Sequence, residues 1–177
     1  MELRWLAGAV EVAGVRVFAP LAYEGPARAM VRALKFRGAT LAAETMAAQI
    51  VAGASGDVLD RGVLVPVPLH ARRLRRRGFN QAERLAAALS RRTGLGVADC
   101  LRRTGSARTQ VGRDRAGRLA GARGSVVVHP GTDAPRRAIL VDDVVTTGAT
   151  LAACARALRA AGAVDVGGVG YARTPGR

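Results

Sequence analysis

The chain has 177 residues, 49% of them hydrophobic, and a formal net charge of +15. That composition excludes a disordered chain and suffices for a sizeable core. No apolar run approaches the roughly 20 residues of a membrane span. Cys100 and Cys154 are the only cysteines, so neither a disulfide framework nor a four-cysteine zinc site can be drawn. A reducing cytoplasm is the expected compartment. The first fifteen residues carry Glu2 and lack a cationic segment followed by a clean apolar run, so they predict no secretory leader.

Of the 28 basic residues all but Lys35 are arginine. With abundant Ala, Gly and Val, that reads as the bias of a GC-rich genome. The bias does not explain the clustering. Between Arg72 and Arg123 there are 15 arginines against Glu83, Asp99 and Asp114, a net +12. A basic surface facing a polyanion does explain it.

In chain order, Val10–Val12 and Val15–Phe18 alternate about Ala13-Gly14, predicting a β-hairpin that Pro20 ends. Gly25-Pro26 opens a helix to about Phe36. Gly38 breaks it, and Thr40 caps a second helix through Ile50 or Val51. Val63–Pro68 predicts a strand whose regular pairing stops at the prolines. Five arginines in six residues follow, Arg72–Arg77. Such a run is ordinarily a solvated face, but here it follows the end of a core strand, where α/β sheets place ligands. Asn80 is a helix cap, helical spacing runs through Leu85, Ala88 and Leu89, and Gly94 stops it. Val97–Leu101 predicts a short strand. Arg102–Gly124 is an Arg/Gly-rich connection of a length that is usually functional. Ser125–Val128 returns to strand. Ala163–Val169 is a final strand, and Arg173–Arg177 reads as a frayed tail.

The most informative stretch is Ala138–Leu151. Ala138–Val141 suits a strand buried on both faces, expected to end at Asp142-Asp143. Thr146-Thr147-Gly148 is a short loop, and helical spacing runs from Thr150 to Ala161, with Gly162 as its stop. Strand, small-residue loop and helix describe a phosphate cradle at a helix N-terminus, where free N–H groups and the helix dipole favour an anion. No lysine follows Gly148, so this is not a P-loop. It is not the GxGxxG fingerprint either. Two carboxylates beside a phosphate site need another partner, sugar hydroxyls or Mg²⁺.

The stretch resembles the phosphoribosyl pyrophosphate (PRPP) motif of type I phosphoribosyltransferases. With Val65–His70, Arg77-Gly78-Phe79-Asn80-Gln81, Tyr23, Leu34–Gly38 and Tyr171–Arg173, the chain resembles the ComF family of competence-associated proteins over roughly residues 20–173. The resemblance implies an α/β type I phosphoribosyltransferase fold, a central parallel sheet flanked by helices. One domain would span 1–177, with a hairpin-and-helix hood over 1–58 and a PRPP-binding core over 59–173. It implies that Asp142 and Asp143 meet the ribose hydroxyls and that Thr146, Thr147, Gly148, Ala149 and Thr150 hold the 5-phosphate. Pro68, Leu69, His70, Arg72 and Arg77 would lie on the pyrophosphate side. Arg73, Arg75, Arg76, Asn80, Gln81, Gln110 and Arg118 would contact nucleic acid or close over the site. Mg²⁺ would arrive with PRPP and not on protein ligands. Many family members begin with a four-cysteine zinc module; its ligands are absent here, so no zinc is carried over. Gly121 and Val126 stand where an asparagine and an aromatic are usual.

Two functional readings follow: transfer of the phosphoribosyl group to an acceptor with release of pyrophosphate, or a PRPP-responsive module that binds single-stranded DNA during DNA uptake. Purine-salvage relatives carry aspartate where Thr146 stands, and aromatic content is only 3%. Both features argue against a nucleobase acceptor. There is no glutaminase region for amidotransfer.

Overall fold

The computed structural model describes residues 2–37, 40–55, 57–104 and 126–175. Its strands are β1 (Ala9–Val12), β2 (Val15–Phe18), β3 (Leu21–Ala22), β4 (Val63–Pro66), β5 (Gly96–Val97), β6 (Leu101–Arg103), β7 (Val126–Val128), β8 (Arg137–Val145) and β9 (Asp165–Arg173). Its helices are α1 (Gly25–Arg37), α2 (Thr40–Gly53), α3 (Ala71–Arg77), α4 (Gln81–Thr93) and α5 (Ala149–Ala160). The main sheet runs β1-β2-β9-β8-β4-β5, with β3 beside β9. Every pairing in it is parallel except the β1–β2 hairpin. The expected α/β architecture, a central and mostly parallel sheet between helices, is the one found.

The hairpin turns on Ala13 and Gly14, both at positive φ (50° and 76°), the two-residue turn whose twist matches that of the flanking strands. Pro20 ends β2, and the chain then extends again as β3. Leu64, Ile139 and Val141 pack with α1, α2 and α4 through Leu34, Met46, Ile50, Leu85 and Leu89. Val65, Ala138 and Leu140 pack with α5 through Leu151, Cys154 and Leu158. Strand alternation thus divides one hydrophobic sheet between two buried layers. The small antiparallel pair β6–β7 joins the α5 layer through Leu101 and Val126.

Three expectations are corrected. β8 continues through the acidic pair to Val145, because β9 runs alongside it, with Val144 opposite Ala172 and Val145 opposite Arg173. Arg173 is consequently no frayed tail; it is buried in β9 and its Nη2 donates to the Ala7 carbonyl at 2.9 Å. The arginine run is helical as α3, fixed at both ends by local signals. His70 Nδ1 accepts from the Arg72 N–H, and Gly78 closes the helix in the left-handed region. The stop at the prolines holds, with one further sheet bond from Val67 N–H to the Val141 carbonyl at 2.9 Å.

Candidate functional site

The C-terminal ends of β4 and β8 open onto a cleft of about 1300 Å³ lined by α1, α3, α5, the β4–α3 turn and β6. Its floor is the β8–α5 connection. Gly148 caps α5 at φ 71°, a left-handed conformation that glycine adopts without strain. A Cβ there would also overlap the Val12 side chain of the hairpin. The first bond into the helix runs from Ala152 N–H to the Gly148 carbonyl. The N–H groups of Thr150 and Leu151 therefore have no intrahelical acceptor. Thr146 and Thr147 are exposed, and with Ala149 and Thr150 they line the cleft. Local sequence alone thus builds an anion cradle from main-chain donors, hydroxyls and the helix dipole.

Continuing the alternation of β8, Asp142 and Asp143 turn to opposite layers while both line the cleft. Asp143 is buried and meets Lys35 from α1, Nζ to Oδ2 at 2.8 Å. Asp142 Oδ1 accepts from the Asp143 N–H at 2.8 Å. Burial, and then the negative charge of Asp143, push the Asp142 carboxyl well above the ordinary carboxylate range, with Lys35 opposing. Burial and the nearby Asp142 likewise push the Cys154 thiol up to about 12, so it is not a nucleophile.

Opposite this pair, cations gather from elements far apart in sequence. Arg73 and Arg77 of α3 face the cleft, four residues apart on one helical face. Arg77 Nη1 donates to Gln81 Oε1 at 2.6 Å. Arg103 of β6 reaches across two loops, Nε to the Pro68 carbonyl at 3.0 Å and Nη2 to Thr150 Oγ1 at 3.3 Å. With Lys35 and Arg156, the described lining carries five cations against the two carboxylates.

The structure brings together Asp142, Asp143, Thr146, Thr147, Ala149, Thr150, Pro68, Leu69, His70, Arg73, Arg77 and Gln81, with Gly148 beneath them. It does not place Arg72 in the lining. Arg72 is exposed with Arg75 and Arg76 elsewhere on α3, so Arg73 takes the cleft position expected of Arg72. Asn80 is no surface contact. It is buried, its Oδ1 caps α4 at Ala82 and its Nδ2 donates to the Val67 carbonyl at 3.1 Å. Gln81 is also buried and is held by Arg77. Gln110, Arg118 and Gly121 lie outside the described residues. Arg103 belongs to the 102–123 connection expected to cover the pyrophosphate side, whereas Lys35 and Arg156 have no site role in the sequence reading. The signal for Lys35 was compositional, a single lysine in a chain that otherwise uses arginine.

Two curated bacterial proteins are similar in sequence. Competence protein F of Haemophilus influenzae is 38% identical over 114 residues, 62% of this chain and 49% of that protein. Competence protein ComFC of Streptococcus pneumoniae is 35% identical over 102 residues, 58% of this chain and 44% of that protein. The chain spans about half the length of the curated relatives it matches. Among solved structures, a glutamine PRPP amidotransferase from B. subtilis, complexed with ADP and GMP, aligns at TM-score 0.47 and 21% identity, covering 72% of this chain and 26% of that one. A structure described as the allosteric regulatory enzyme of purine biosynthesis aligns at TM-score 0.44 and 21% identity, over 72% and 25%. No family model matches the chain. Over about three-fifths of its length, the chain is similar to these two competence proteins.

Proposed function

We propose that this chain is a competence-related, PRPP-binding protein of phosphoribosyltransferase type. The observation that carries the reading is the composition of one cleft: a helix N-terminal cradle, two adjacent carboxylates and five cations. A phosphate and a sugar diol beside a second, larger anion would match those groups. The 5-phosphate would take the α5 N–H groups with the hydroxyls of Thr146, Thr147 and Thr150. The ribose diol would donate to Asp142 and Asp143, and accepting those bonds would favour the ionised pair. Pyrophosphate would face Arg73, Arg77 and Arg103 above the Pro68–His70 turn.

In transfer, the bond from C1 of the ribose to pyrophosphate breaks and a bond from C1 to the acceptor forms, through an oxocarbenium-like transition state. The chain's part is to position both groups and to stabilise charge on the departing pyrophosphate, with no covalent nucleophile of its own. His70 Nδ1 is spent capping α3 and is not used as a base. Among the described residues no three His, Cys, Asp or Glu side chains converge as a metal site, and Asp143 is already engaged by Lys35. With both carboxylates given to the ribose diol, those residues fit a Mg²⁺ ion held by the ligand and not by protein side chains. When bound, such an ion would offset the charge of the leaving group.

PRPP with Mg²⁺ at about a hundred times Kd should raise Tm by roughly 5–10 °C, because it binds only the folded state. No rise at millimolar ligand would overturn the reading. Pyrophosphate release on adding an acceptor would establish transfer as well as binding.

A second reading rests on α3, whose Arg72, Arg75 and Arg76 are exposed outside the cleft. Three cations on one short helix suit a phosphate backbone, with salt-sensitive binding and little sequence preference. No helix is long and apolar enough to cross a membrane among the described residues. Single-strand binding that survives Asp142→Asn with Asp143→Asn, and fails when those three arginines are neutralised, would support it.

A further inference from the structure

Lys35 is the only lysine in a chain with 28 basic residues. Elsewhere this protein pairs its carboxylates with arginine: Arg16 with Asp57, Arg137 with Asp165, Arg91 and Arg92 with Glu44. Those pairs are on the surface, and Arg91 brings both Nε and Nη2 to one Glu44 oxygen. The Lys35–Asp143 pair differs in place and in geometry. Its side chains are 24% and 5% exposed, it lies at the end of β8, and both partners line the cleft.

The physical difference between the two cations is the shape of the donor. A guanidinium is a planar fork that can place two N–H hydrogen bonds at once on a carboxylate, along its edge or, as in Arg91, on one oxygen. An ammonium is a point charge and is satisfied by one. On a surface pair the distinction matters little. On a carboxylate that must also accept from a ligand hydroxyl, the fork would occupy the lone pairs that the ligand needs. The lysine contact is to Oδ2. The aliphatic stem also lets α1 bring the charge over the apolar layer while its tip faces the cleft.

We propose that Lys35 is a positioning residue of the ribose subsite: its ammonium orients Asp143 through one oxygen, presents the other to a sugar hydroxyl, and is covered when the sugar is bound. The proposal rests on the PRPP reading above and adds a residue from α1 to it.

The chain's composition makes the test direct, because an amine-acetylating reagent can modify only Lys35 and the α-amino group. Full-length protein is acetylated and Lys35 modification is followed by peptide mass spectrometry. With ligand at about ten times Kd, PRPP–Mg²⁺ and ribose 5-phosphate should each slow modification of Lys35 about tenfold, the unbound fraction setting the residual rate. Pyrophosphate–Mg²⁺ should leave the rate unchanged. In parallel, K35R should fold with a near-normal Tm and retain its affinity for pyrophosphate, yet bind PRPP about tenfold more weakly, the loss expected for one hydrogen bond to a charged group. K35M, if it folds, should show the same selective loss. Equal acetylation with and without PRPP, or wild-type PRPP affinity in K35R, overturns the proposal. The wild-type Tm separates the two readings. If PRPP raises it while Lys35 stays reactive, only the lysine proposal falls; if PRPP does not raise it, both fall.

Discussion

The two ends of the central sheet are charged in different ways. Where β8 and β9 begin, a smaller cleft is lined by Arg16, Arg61 and Arg137 against Asp57, Asp60 and Asp165, three of each sign. These are adjacent, solvent-exposed ion pairs: Arg16–Asp57 at 3.1 Å and Arg137–Asp165 at 3.0 Å. Each charge there already has its complement. Where β4 and β8 end, five cations face two carboxylates, one of which is buried against Lys35. The N-terminus of α5 lies among those cations. The contrast is one of charge balance more than of cleft shape, and on the reading proposed above the cationic end is the one that takes an anion.

The comparison can be broken most severely at α3. Replacing Arg73 and Arg77 together by alanine should weaken PRPP binding about a hundredfold, as expected for two charge-assisted contacts. Replacing Arg72 and Arg75 should leave it within about twofold, since exposed charges away from the cleft are screened. Equal losses in a direct binding titration would show that the whole basic surface acts non-specifically.

A smaller effect of opposite sign is expected at the carboxyl pair. The folded-state pKa of Asp142 lies above its ordinary value, so the native state holds a proton that the unfolded chain releases. Stability from this group is full below the ordinary carboxylate range and is lost as pH rises through the folded pKa. Asp142→Asn should therefore raise Tm of the ligand-free protein at neutral pH while weakening PRPP binding. Thermal melts from pH 4 to 8 should show a flatter profile for the variant. A lower Tm in the variant at neutral pH would contradict the charge arrangement described.

The smallest effect belongs to the balanced end. Arg137→Ala breaks an exposed pair and should change stability by less than about 1 kcal/mol, measured by urea titration, with PRPP affinity unaltered.

The strand–loop–helix unit that floors the cleft is legible in the sequence because its parts are contiguous: strand, loop, glycine and helix follow one another within Ala138–Ala161. Asn80 as a helix cap and Ala13-Gly14 as a hairpin turn were legible for the same reason. The arginine helix was not read as helical, because five like charges in six residues carry no apolar period. Its cap at His70 and its stop at Gly78 are local signals, but with no apolar period between them they do not announce a helix. Lys35 and Arg156 are out of reach for a different reason. Their place depends on α1 crossing over the end of β8 and on which face α5 turns to the cleft. No local spacing encodes those arrangements. The length of β8 was likewise set by its neighbour β9 and not by its own residues.

The hairpin that presses Val12 against Gly148 joins the sheet solely through β9, with Val17 beside Gly168 and Phe18 beside Val169. β2 thus docks on a strand about 150 residues further along the chain. Contacts of such wide sequence separation are entropically costly to close and slow to form. A chain cut before β9 should therefore lose the dock for the hairpin, and with it the side chain that backs Gly148, while keeping the local signals of its helices.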